Sequence, residues 1–264
     1  MPKITNLEEA PRKELHVFYV LDTSGSMEGT KISALNHAME ECTEALATLA
    51  KSNGDAKLKI AVMEFNSTVR WVTAHGPEDM EDFEWEYLKC GGLTEVGAAL
   101  MELDKKLSRH EYLKSMTGAL MPVIIFMTDG WATSESYSYE DALEKIRQNK
   151  WFKRGTKIGF AIGDEADLKM ISEVVGNSEA VIKTTDLELF KRLMKFVTVT
   201  ASMLVSQSHT TETAVGGEAI IKDAKKELGL SDDITPDLAD YEYDKEPEDT
   251  ADSADDAWDD DDEW

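Results

Sequence analysis

Asp22-Thr23-Ser24-Gly25-Ser26 places one carboxylate and two hydroxyls within five positions, in the pattern D-x-S-x-S. The segment follows directly on the apolar run 15–21, where a buried strand should end and a helix begin. A hard divalent cation such as Mg²⁺ or Mn²⁺ accepts oxygen ligands of this kind and keeps several waters. Two further segments carry related chemistry. Gly91-Gly92-Leu93-Thr94 is a glycine-rich loop ending in a hydroxyl, and Met127-Thr128-Asp129-Gly130 sets a carboxylate at the end of a second apolar run, 123–128. Each segment alone also reads as an ordinary turn, since Ser, Asp and Gly favour turns. Thr94 alone reads as a helix N-cap; the residue three further on is Gly97, so no capping box is completed. Taken together, three oxygen-bearing loops at one edge of a sheet point to a single ion bound by Asp22, Ser24, Ser26, Thr94 and Asp129.

The elements that must position these loops are legible as a pattern. Residues 15–21 form a near-continuous apolar run, as expected of a strand covered on both faces. Ile32, Leu35, Met39, Cys42, Leu46 and Leu49 recur at alternating three- and four-residue steps, one face of a long helix. Residues 58–65 and 68–73 read as two strands joined by Asn66-Ser67, and a short strand is expected around 85–88. Val96, Leu100, Leu103 and Leu107 mark a second helix, and Tyr139, Leu143 and Ile146 a third. Residues 158–162 read as a strand, Leu168, Ile171 and Val175 as a short helix, 180–183 as an edge strand, and Leu189 to Met203 as a closing helix. Alternating strands and helices imply an α/β fold: a doubly wound, mostly parallel sheet with one antiparallel edge strand and helices on both faces. In such sheets ligands bind in the crevice outside the carboxyl ends of the strands.

The 264 residues are enough for one full-sized α/β core. The net charge of −25 is uneven: residues 231–264 hold 17 acids and one Lys. The expected organisation is an N-terminal extension (1–12), a core domain (13–208), a short helical extension (209–230) and an acidic, disordered tail (231–264). A net-negative body without a basic stripe argues against nucleic acid, which requires phosphate neutralisation. No apolar run approaches a membrane span and none resembles a signal peptide. The two cysteines, Cys42 and Cys90, form no CxxC, so a reducing, cytoplasmic setting is expected. The five histidines are scattered without ligand spacing, and neither a Walker A motif nor GxGxxG is present.

With these residues in place, the pattern resembles the von Willebrand factor A (VWA) domain and its metal-ion-dependent adhesion site. Asp22, Ser24 and Ser26 match the first segment of that site, Thr94 the second and Asp129 the third. The resemblance covers about residues 13–205 and implies that Ser24, Ser26 and, in one state, Thr94 touch the ion directly. Asp22 and Asp129 would act largely through waters or hydrogen bonds. It implies one divalent cation, Mg²⁺ first, with Mn²⁺ and Ca²⁺ as the other candidates. Segments 20–27, 126–130 and 202–208 also resemble bacterial VWA proteins of the TerY-like group, linked to tellurite resistance and stress response. That finer resemblance offers a co-encoded protein phosphatase or kinase-like protein as partner.

The residue types favour recognition over catalysis. Three neutral hydroxyls and two carboxylates, partly water-mediated, leave a hard dication under-neutralised, and it then welcomes one more anionic oxygen. The resemblance implies that this oxygen is an Asp or Glu of a partner protein. Nothing pairs a nucleophile with its base, so the chain is expected to be a non-catalytic binding module. The alternative class is a VWA adaptor of an AAA+ ATPase; a metal-dependent phosphatase is disfavoured because Ser24 stands where D-x-D would need a second Asp. Met27, Glu28, Gly92, Trp131 and Asp164 are expected to rim the site, with Glu165 beside them. Their acids predict a partner that surrounds its carboxylate with Lys or Arg.

Overall fold

The computed structural model describes residues 11–133, 136–208 and 215–236. Strand β1 (Lys13–Asp22) lies at the centre of a seven-stranded sheet and is buried along nearly its whole length. Helix α1 (Thr30–Ser52) crosses to β2 (Ala56–Phe65), which pairs parallel to β1. The chain then turns back as β3 (Val69–Trp71) and β4 (Glu78–Asp79), both antiparallel to β2. The antiparallel edge is therefore one position in the sheet, filled by two short segments. Helix α2 (Val96–Lys106) leads to the other side of β1, where β5 (Val123–Thr128) pairs parallel with it. Helices α3 (Tyr139–Arg147) and α4 (Lys150–Arg154), strand β6 (Thr156–Ile162), helix α5 (Leu168–Val175) and strand β7 (Val181–Thr184) extend the parallel half. Helices α6 (Leu187–Gln207) and α7 (Gly217–Leu228) complete the fold. The strand order is β3-β2-β1-β5-β6-β7, so the direction of winding reverses between β1 and β5.

Alternation along β1 divides the core in two. Leu15, Val17, Tyr19 and Leu21 pack with α1, α6 and α7 on one face. Phe18 and Val20 pack with α2, α3, α4 and α5 on the other. Helix α7 buries Ile220, Ile221 and Ala224 in the first of these cores, so the region expected as an extension is packed onto the domain. The boundary at 209 and residues 237–264 of the expected tail lie outside the described residues, whereas its start at 231–236 is ordered: Asp232–Ile234 form a 3₁₀ turn and Ile234 is buried in the first core.

Two local readings change. Residues 85–88 form no strand, because a side chain of α1 takes up the backbone of Leu88. The Asn36 amide donates to Leu88 O (3.0 Å) and accepts from Leu88 N (2.8 Å). Helix α4 is an addition: five residues are too few to show a helical period. Its start is set by Asn149, whose side-chain oxygen accepts from Trp151 N and Phe152 N.

Candidate metal centre

The register Leu21↔Met127 sets the penultimate residue of β1 beside the penultimate residue of β5. Asp22 and Asp129 thus leave the sheet at the point where its winding reverses, the expected place for a ligand crevice. The Asp22 carboxylate is fully buried and has a donor on each oxygen. Ser24 N–H donates to Oδ1 (2.7 Å) and Thr128 Oγ1 to Oδ2 (2.5 Å). Burial pushes its pKa above the usual carboxylate value; the hydrogen bonds from Thr128 and Ser24 oppose this, and the nearby Asp129 adds to it. Asp22 therefore acts as a fixed acceptor that shapes the loop behind the site.

Three oxygens form the front of the site. Ser24 Oγ and Ser26 Oγ lie 3.0 Å apart, and Ser26 Oγ donates to Asp129 Oδ1 at 2.6 Å. Neighbouring oxygens around a six-coordinate Mg²⁺ with bonds of about 2.0–2.1 Å are separated by about 2.9 Å. The spacing and hard-oxygen character of this set fit such an ion. Thr94 stands nearby: a methyl group built on Gly130 would lie 3.6 Å from Ser26 Oγ and 3.8 Å from Thr94 Oγ1, so both hydroxyls border Gly130. Thr94 is not the N-cap of α2; Glu95 precedes the helix, and no side chain caps it. Among the described residues no three His, Cys, Asp or Glu side chains gather as a metal cluster.

The three loops are tied to one another through their backbones. Gly25 N–H donates to Gly92 O (2.9 Å), and Gly91 N–H to Thr23 O (2.8 Å). Gly92 adopts φ +86°, and a Cβ there would lie 2.5 Å from Ser67 Oγ, so glycine is required at this crossing. Thr133 N–H donates to Thr94 O (2.8 Å), joining the second loop to the segment after the third. The buried Glu95 carboxylate reinforces that join, accepting from Thr133 Oγ1 (3.2 Å) and Ser136 N–H (3.0 Å).

Of the five expected ligand positions, Asp22, Ser24, Ser26 and Asp129 are joined by hydrogen bonds and Thr94 borders them across Gly130; Ser26 is the exposed member and the other four are buried. The rim differs in one respect. Met27 turns inward and is fully buried in the α1-side core, because the single 3₁₀ turn Gly25–Met27 rotates it under the loop. Glu28, Gly92, Trp131, Asp164 and Glu165 are exposed, Trp131 by 66%. Sequence reasoning missed three supporting side chains. Thr128 lay inside the quoted Met127-Thr128-Asp129-Gly130 segment, and its position before the Asp was the available signal. Glu95 and Lys31 carried none. Lys31, in the first turn of α1, places Nζ 2.5 Å from Asp129 Oδ2.

The doubly wound sheet, with hydroxyl- and carboxylate-bearing loops meeting at its switch point, has the architecture of the von Willebrand factor type A fold. Residues 17–132 match the family model described as von Willebrand factor type A domain. Among curated relatives, the human inter-alpha-trypsin inhibitor heavy chain H6 is 28% identical over 171 residues, 61% of this chain. The chain spans only 12% of the length of that protein. Among solved structures, a von Willebrand factor type A protein from Catenulispora acidiphila superposes with TM-score 0.53 at 19% identity, covering 73% of this chain and 43% of the other. Proximal thread matrix protein 1 from the mussel byssus, in a structure with a zinc-occupied MIDAS motif, superposes with TM-score 0.51 at 14% identity, covering 72% of this chain and 46% of the other.

Proposed function

We propose that this chain carries a VWA domain and is a non-catalytic, divalent-cation-dependent protein-binding module. The observation that carries the reading is the set of Ser24, Ser26 and Asp129 oxygens at 2.6–3.0 Å spacing, with the Thr94 hydroxyl beside them across Gly130. Ser24, Ser26 and Thr94 would hold the ion, and Asp22 and Asp129 would orient those hydroxyls and accept from its waters. The bound ion supplies a Lewis-acidic position for one carboxylate oxygen of a partner. Mg²⁺ is the proposed resident on the hardness of the donors, with Mn²⁺ and Ca²⁺ next. The zinc in the mussel protein's MIDAS motif supports a divalent ion in this type of site.

The partner is proposed to be a protein that presents Asp or Glu within a basic surround. Exposed Glu28, Asp164 and Glu165 would meet its Lys or Arg, and exposed Trp131 offers an aromatic anchor of the kind interfaces favour. On the resemblance of segments 20–27, 126–130 and 202–208, the setting is proposed to be a bacterial tellurite-resistance-like stress system in the cytoplasm. A co-encoded phosphatase or kinase-like protein is then the candidate partner. The two free cysteines support a reducing compartment.

The test is capture of partners from native lysate in Mg²⁺, repeated in EDTA and with Asp22→Ala. Partners are expected to be retained in Mg²⁺ and lost under both other conditions. Retention of the same partners under all three would overturn metal-dependent recognition.

A further inference from the structure

Lys31 brings a positive charge into the site from outside the three loops. Its Nζ lies 2.5 Å from Asp129 Oδ2, while Asp129 Oδ1 faces Ser26 Oγ at 2.6 Å. The two carboxylate oxygens are thus divided: one belongs to the front of the site and the other to the ammonium. The pair is sheltered, since the Asp129 side chain is fully buried and that of Lys31 is 29% exposed. A slot for Lys31 exists opposite. Gly163, at φ +90°, has no Cβ, and one built there would lie 3.4 Å from Lys31 Cε and 3.5 Å from Nζ. Position 163 leaves the lysine stem room to reach across.

We infer that Lys31 is a built-in counter-charge that weakens the site's hold on its ion and strengthens the loaded site's demand for a partner carboxylate. This rests on the divalent-ion reading above. Asp22 and Asp129 with Lys31 leave one net negative charge at the site. A dication converts that to one net positive charge, which a single incoming carboxylate neutralises. Without Lys31 the formal charge of the two aspartates would equal that of the dication, and an incoming carboxylate would be drawn less strongly. Lys31 approaches Asp129 through Oδ2, away from the hydroxyls, so it tunes the charge without taking an ion-facing oxygen. It is a positioning and tuning residue, and it determines selectivity between ion and partner.

The experiment measures Mn²⁺ binding by electron paramagnetic resonance for the full chain, Lys31→Met and Lys31→Arg, each first melted in EDTA. Lys31→Met is expected to bind Mn²⁺ at least tenfold more tightly than the parent, and Lys31→Arg within about threefold of it. Acetate added to the Mn²⁺-loaded proteins is expected to perturb the spectrum at lower concentration in the parent than in Lys31→Met. Should Lys31→Met lose its fold in EDTA, Lys31→Gln carries the same comparison. Equal or weaker Mn²⁺ binding by the charge-removed variant overturns the inference, as does an unchanged acetate response. Loss of Mn²⁺ binding in the parent and every variant overturns the ion site itself.

Discussion

Strand β1 buries polar groups in two places, and the two obey opposite rules. At its C-terminal end Asp22 is enclosed with a donor on each carboxylate oxygen. In its body His16 and Tyr19 are equally enclosed, yet among the described residues His16 Nδ1 has no hydrogen-bond partner, and the Tyr19 hydroxyl meets only the Thr198 hydroxyl and the Cys42 thiol at poor geometry. The site end is a network built to hold oxygens in fixed positions. The body tolerates polar atoms only because they stay neutral: burial, aided by Lys59, holds the His16 imidazole down to about 3, and burial above all raises the Tyr19 phenol. Burial alone therefore does not identify a functional group in this domain; complete, directed pairing does.

The largest expected break in this contrast is made with acid. The folded-state pKa of His16, about 3, lies below its usual 6.5, so the unfolded chain takes up the proton first. Stability contributed by neutral His16 is full above pH 6.5 and is lost as pH falls toward 3. By about 1.4 kcal/mol per unit the loss approaches roughly 4–5 kcal/mol. Urea unfolding from pH 7 to 4 should therefore show a steeper decline for the parent than for His16→Gln. The Glu14 carboxylate, 3.7 Å away, offers the protonated ring some relief and so sets an upper bound on the effect.

A smaller effect is expected at the pairing end. Glu95→Ala leaves Thr133 Oγ1 and Ser136 N–H without their acceptor, at a cost of about 2 kcal/mol. It should also loosen Thr94 and weaken Mn²⁺ binding several-fold, because the same residues join the second loop to the segment after the third. Chemical denaturation and Mn²⁺ titration on one preparation check both outcomes. The smallest effect is expected from Tyr19→Phe. Removing a buried hydroxyl whose contacts are confined to Thr198 and Cys42 should change stability by no more than about 1 kcal/mol and leave Mn²⁺ affinity unchanged. A fall in both would place Tyr19 in the site network and erase the distinction.

What could be read from sequence follows the same division. The apolar runs of β1 and β5 and the stripe of α1 are periodic, so the sheet, its order of elements and its covered faces were legible. Asp22, Ser24, Ser26, Thr94 and Asp129 were legible because each sits at the end of such a run or in a glycine-rich turn. Lys31 was not: it lies on a helix surface, and its partner is 98 residues away. Glu95 was not, because an acid before a helix is ordinarily solvated, whereas here two loops fold over it. The backbone around Leu88 was misread because one asparagine replaces a strand partner, an exchange with no periodic signature. Met27 was placed on the rim because its neighbours are there; the direction of one 3₁₀ turn decides otherwise.

The central position of β1 also has a mechanical consequence. Any pull applied through Asp22 and Asp129 runs along the axes of two adjacent parallel strands, one of which is also paired with β2 from Lys13↔Ala56 to Asp22↔Phe65. The load falls on ladders of hydrogen bonds in shear, where many must break together, and not on an edge that could peel one bond at a time.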